Sequence, residues 1–149
     1  MAAMTAQEER GVKEYTHRRY KQKGSTTIYA GALVVCGSDG YAKPGTTATG
    51  LRVLGVAAYT STMTSATDGA TTDEGQTGVL VLTSTAENGK RRLFAFKNDT
   101  GTPVDIGDTG TDIYIKDDQT FTADSTGATA GGELIEIDAD GWLWVKLYD

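Results

Sequence analysis

The chain has 149 residues, with fourteen Lys and Arg against twenty Asp and Glu, a net charge of −6 and a pI near 4.7. That length provides one domain with a core of ordinary size, and the acidic balance argues against nucleic acid as a partner of the main body, because phosphate contacts need a basic surface. A single cysteine, Cys36, excludes an intramolecular disulfide and a thiolate metal cage, and no apolar run approaches the roughly 18 residues of a membrane span.

The charge is unevenly placed. Residues 1–23 carry six basic and three acidic side chains, a net +3, whereas residues 24–149 carry eight and seventeen, a net −9. The first segment also lacks a sustained apolar period, so it is expected to be a basic N-terminal arm on a single domain that begins at Gly24. Its one helix signal is Thr5 three residues before Glu8, a capping-box spacing, weakened by Gly11 and Thr16. Arg10, Lys13, Arg18, Arg19, Lys21 and Lys23 supply positive charge; Val12, Tyr15 and Tyr20 supply area to bury. Glu8, Glu9 and Glu14 dilute the field, which favours an acidic protein surface over nucleic acid as the arm's partner, the arm ordering as it binds. Without the apolar stretch of a signal peptide, the expected setting is a cytosol or a particle assembled there.

From Gly24 onward, short apolar runs alternate with Thr-, Gly- and Asp-rich turns, the pattern of an all-β domain. Strands are predicted over 26–30 and 33–36, then a Ser38-Asp39-Gly40 turn and a return strand over 41–43. Cys36 reads as a small buried hydrophobe. Residues 51–59 are apolar at nearly every position, as in a strand buried on both faces, with Gly55 marking a bulge or close approach. Residues 60–76 contain little to bury and read as a long surface loop. Runs over 79–82 and 93–96 are predicted to form a hairpin through Asn88-Gly89. A turn at 99–103 precedes a short strand over 104–106, and 113–116 alternates with Ile113 and Ile115 on one face. After a flexible loop over 123–132, strands over 133–137 and 142–148 form a hairpin. Leu143, Val145 and Leu147 lie on one face of the second strand, and Trp142, Trp144 and Tyr148 on the other. This aromatic face is expected to pack on another sheet of the same domain.

Catalytic and metal readings fail on spacing, and no cofactor or metal site is expected. Asp117-Asp118 are adjacent, hence on opposite faces of a strand or in a turn. Asp138 and Asp140 open like a calcium loop with Gly141 sixth, but Leu147 stands where the closing acid belongs. His17 lies in the arm, leaving Cys36 without an evident base. No phosphate-cradling glycine motif occurs in a strand-to-helix setting. The chain is therefore not expected to be an enzyme.

Arg92-Leu93-Phe94-Ala95-Phe96-Lys97-Asn98 and Ile113-Tyr114-Ile115-Lys116-Asp117-Asp118-Gln119-Thr120 resemble a family of small structural proteins of tailed bacteriophages. The resemblance continues through Ala130-Gly131-Gly132-Glu133-Leu134-Ile135-Glu136-Ile137-Asp138 and Gly141-Trp142-Leu143-Trp144-Val145-Lys146-Leu147. Upstream, Tyr29-Ala30-Gly31-Ala32-Leu33-Val34 and Leu54-Gly55-Val56-Ala57 are similar to the opening of the head-decoration, or cement, proteins. The family resemblance implies a small β-barrel, β-tulip or sandwich on the outside of an icosahedral head, contacting the major capsid protein. It also implies assembly as trimers or dimers at local symmetry axes. Residues 1–23 would then be the capsid-binding arm, and the setting the virion surface. A tail or baseplate β protein shares the composition, and a carbohydrate-binding module using Trp142 and Trp144 as a platform is the alternative from another class.

Overall fold

The structure, a computed structural model, describes residues 17–149. Its first half contains β1 (His17–Tyr20), β2 (Thr26–Ile28), β3 (Leu33–Cys36), β4 (Ala42–Pro44), β5 (Arg52–Ala57), β6 (Ser61–Met63) and β7 (Val79–Leu82). Its second contains β8 (Phe94–Asn98), β9 (Asp112–Ile115), β10 (Thr120–Thr122), β11 (Ala130–Ile137) and β12 (Leu143–Leu147). The protein is all-β, as its alternating runs and turn residues predict. In the first half β1-β7-β5-β3-β4 form an antiparallel sheet, with β2 and β6 paired as a separate ribbon. In the second, β10-β8-β12-β11-β9 close into a barrel whose one parallel contact is β8 with β10.

Strand β3 joins the halves because its period of two sends alternate side chains into different cores. Leu33 and Val35 pack with Val53, Val56 and the barrel residues Phe96, Phe121 and Leu143. Val34 packs with Ile28, Ala42, Val79 and Val81 in a second core. All four β3 residues are buried, which explains a run with no polar position. In the first core the rings of Phe96 and Phe121 meet edge to face, with centroids 4.9 Å apart and planes at 63°. The expected irregularity at Gly55 is present: the β3–β5 register shifts beside it, and its φ is +140°. A Cβ there would lie 2.2 Å from the Leu82 carbonyl oxygen, so the close approach of β7 requires glycine.

Several boundaries differ from expectation. The arm was expected to run through Lys23, but residues 17–23 are built into the body. β1 pairs with β7, and beyond it Ala42 N–H donates to the Lys21 carbonyl while Lys23 N–H donates to the Ala42 carbonyl, at 2.8 and 2.9 Å. The segment thus touches both ends of the first sheet. Gln22 locks it there: fully buried, its Nε2 donates to Thr26 O, Thr26 Oγ1 and Ser61 O at 3.1 Å, and its Oε1 accepts from Ser61 Oγ at 2.5 Å. Residues 1–16, with the capping-box signal and Arg10, Val12, Lys13 and Tyr15, lie outside the described residues.

The 60–76 loop contains β6, whose Ser61 and Met63 are buried although no apolar run announces them. The Asn88-Gly89 turn forms, with Ala86 N–H donating to the Lys90 carbonyl at 2.6 Å. The antiparallel pairing stops at the Thr85–Arg91 bridge and does not extend to the predicted strands, because β7 pairs in the sheet and β8 in the barrel. Residues 104–106 form no strand; Asp105 instead caps a 3₁₀ turn at Ile106–Asp108. β11 begins within the predicted 123–132 loop, where Gly131 and Gly132 lie against Ile115 and Val145 and leave no room for side chains. Finally, among the described residues no second sheet covers the aromatic side of β12: Trp142 and Tyr148 are 41% and 44% exposed.

Candidate functional site

Among the predicted arm residues that are described, local folding divides the roles. Arg18, Arg19 and Lys21 are exposed. The Arg18 guanidinium stands 5.5 Å from the Tyr20 ring centroid, a cation–π distance, and Tyr20 itself packs against the second core. Arg19 donates to the Gly78 carbonyl at 3.0 Å and lines a cleft of about 270 Å³ with Tyr59, Glu74 and Gln76. Lys23 is drawn into the body's own acidic turns, 2.7 Å from Asp39 and 3.4 Å from Asp68. Its pKa is raised, chiefly by the hydrogen bond to Asp39. The structure therefore leaves Arg18 and Arg19 of β1, and Lys21 just after it, exposed and commits Tyr20 and Lys23 to holding the segment in place.

The acids that drew attention in the sequence act in turns. Asp138 accepts from Asp140 N–H at 3.0 Å, Trp142 N–H at 2.9 Å and Trp144 Nε1 at 3.1 Å, and these bonds, the indole's first, hold its pKa down. It is a hairpin organiser, and no group of three or more His, Cys, Asp or Glu suited to a metal occurs among the described residues. Asp117 accepts from Gln119 N–H at 2.9 Å, while Asp118 lines a separate cleft with Tyr29 and Gln119. Burial, then the neighbouring Asp117 charge, raises the Asp118 pKa, but no second carboxylate lines that cleft. Cys36 is buried, as expected.

The second exposed surface is the outside of the barrel. The β8–β12 register places Ala95 opposite Trp144, and hence Leu93 beside Lys146 and Lys97 beside Trp142. On the other flank, β11 sets Glu133 against Lys146 and Glu136 against Trp144, with a bulge that turns both Ile135 and Glu136 outward. Among the described residues, four of the seven exposed large hydrophobic ones, Leu93, Ile135, Trp142 and Tyr148, thus come from β8, β11, β12 and their ends. Trp144 is half-buried, its indole N–H already engaged by Asp138, so Trp142 is the more open of the two predicted platform residues.

Comparison with known proteins identifies no relative. No family model, curated protein or solved structure matches the chain. No helix among the described residues is long and apolar enough to cross a membrane.

Two features were not visible in the sequence. Gln22 sits among basic residues with no apolar neighbour to suggest burial, and its partner Ser61 lies 39 positions away. Leu93 and Ile135 become part of the Trp142 surface only through the order β8-β12-β11. Pairing of β11 with β12 in the last hairpin brings Ile135 to this surface, whereas Leu93 reaches it only through the distant pairing of β8 with β12.

Proposed function

We propose that the protein is a non-enzymatic structural component of a phage virion, binding the outer surface of an icosahedral head and stabilising it by bridging subunits of the major capsid protein. The observation that supports this reading best is the cationic segment fused to the edge of an acidic β body. Arg18 and Arg19 stand exposed on β1 and Lys21 just after it, and in the sequence they follow Arg10 and Lys13. In this reading the segment lies along an acidic groove of the shell, Val12 and Tyr15 adding buried area to its charge. The body self-associates as a trimer or dimer over a junction, so two or three individually weak contacts act at high effective concentration. Neither a nucleic acid, a membrane nor a cofactor takes part.

Because residues 17–23 hold the sheet closed, the informative truncation removes residues 1–16 alone. The truncated protein is expected to fold and to lose its hold on undecorated expanded heads, as is the full chain with Arg18→Glu and Lys21→Glu. Head binding is read by co-sedimentation, and protection by resistance of the heads to heat disruption. Unchanged occupancy in both variants would overturn the reading.

A further inference from the structure

We infer that the outer face of the barrel, centred on β12, is a two-fold interface with a second copy of this chain. The inference specifies the surface behind the self-association in the reading above. An apolar strip of Leu93, Ala95, Trp142, Trp144 and Ile135 runs across β8, β12 and β11, and each of Leu93, Ile135 and Trp142 is more than a third exposed. A cluster of this kind on one face, rather than scattered singly, is the signature of an interaction surface. Trp142 lines a shallow cleft with Lys97, Asn98 and Asp140, and tryptophan is among the residue types enriched at the energetic centres of interfaces.

Charge identifies the occupant. Lys97 stands on β8 and Glu136 on β11, on opposite flanks of β12. The face therefore carries Lys97 on the β8 side and Glu136 on the β11 side, with Trp142 and Trp144 between them, while Glu133 is paired within the chain to Lys146 of β12 at 3.5 Å. A two-fold axis lying along β12 brings the β8 side of each copy over the β11 side of the other, so the same residues satisfy both halves of the contact. Such a surface is self-complementary, as an isologous dimer requires. A uniformly acidic or basic partner would meet like charge along one side.

The test is sedimentation of the full chain and three variants, with head binding measured on the same samples. Wild type is expected to be a dimer. Trp142→Ala is expected to be monomeric with unchanged circular dichroism, since its side chain is exposed and its backbone bond to Asp138 remains. Lys97→Glu is expected to weaken the dimer at least about tenfold, and Lys97→Glu with Glu136→Lys to restore it, because reversing both partners re-forms the attraction. A monomeric wild type, a trimer, or a double variant no tighter than Lys97→Glu would overturn the two-fold interface. Loss of head binding by Trp142→Ala with self-association intact would do the same, assigning the face to the shell. Head binding that survives in a monomeric variant leaves decoration standing on its own, and a dimer that fails to bind heads leaves the interface standing without it.

Discussion

The two halves of the molecule both bring a sheet round toward closure, by different means. The barrel closes with its own five strands, β10 to β9, each paired on both sides. The first half relies on residues 17–23, which pair with β7 through β1 and with Ala42 of β4 through Lys21 and Lys23. The barrel spends its apolar residues inside and leaves an aromatic strip outside. The sheet, in contrast, buries β3 on both faces and exposes a cationic outer strand. The difference teaches where attachment surfaces arise: at positions that closure leaves uncovered, the outer face in one half and the entering segment in the other.

The halves are distinguishable in architecture but share one core, and the largest effect should come from breaking it. Phe121 is fully buried and belongs to the barrel, yet it packs in the cluster that contains Leu33, Val35 and Val53 of the sheet. Phe121→Ala is expected to cost about 3–5 kcal/mol through lost burial and a cavity that closes only partly. Because the core is common, urea unfolding should remain one transition. Fluorescence of Trp142 and Trp144, both in the barrel, should coincide with amide-exchange protection of β3 and β5. A first transition confined to the tryptophans would show that the halves unfold separately.

How much of this was legible in the sequence follows the same division. Barrel strands such as Ile113 to Ile115 alternate because one face is wet, and the Asp138–Gly141 turn between β11 and β12 carries its own hydrogen-bond acceptor, so both were readable locally. β3 and β5 were readable as continuous apolar runs. What escaped was pairing at long range. Ser61 and Met63 are buried on a strand that pairs with distant β2, and their neighbours Thr60, Thr62 and Thr64 give the segment the composition of a loop. Asn88-Gly89 makes its turn, but the strands on either side of it, β7 and β8, are claimed by different sheets. The charge break at Gly24 marked a real change in composition and missed the point of entry into the fold, because Gln22 is buried through polar bonds rather than through hydrophobicity. Of the candidate surfaces, the basic residues were legible and the barrel face only half so, since β8 joins it through topology.

A smaller, more local effect should follow from opening the first half at its clasp. Gln22→Ala leaves the Ser61 carbonyl and hydroxyl buried without the partner they now have, at a cost of about 1–3 kcal/mol. The loss should appear in the urea midpoint, and amide exchange should rise at residues 21–23 and at Ala42 while the barrel strands keep their relative order. Equal loosening of β8 and β12 would mean that the segment supports the whole molecule, and an unchanged midpoint that the clasp contributes nothing.

The finest distinction separates two carboxylates on neighbouring turns of the barrel. Asp99 is held well below the usual range, first by the Lys116 ammonium 2.5 Å away, then by Gly101 N–H, with Thr122 and Thr102 also donating. Asp118 is shifted the other way by burial and by Asp117. A carboxyl depressed in the folded state contributes stability that is complete above its unfolded pKa of about 3.9 and is lost as pH falls through the folded value. A raised one contributes stability at low pH that is lost as pH climbs through its folded value. Asp99→Asn should therefore remove part of the wild-type decline in melting temperature below about pH 4, a decline it shares with Asp39, Glu74, Asp124 and Asp138, whose shifts have the same sign. Asp118→Asn should leave that decline in place and relieve a penalty at neutral pH. Melting curves from acid to neutral pH read both. If the two substitutions moved the acid limb alike, the carboxylates would be responding to the net charge of the body rather than to the neighbours that distinguish them.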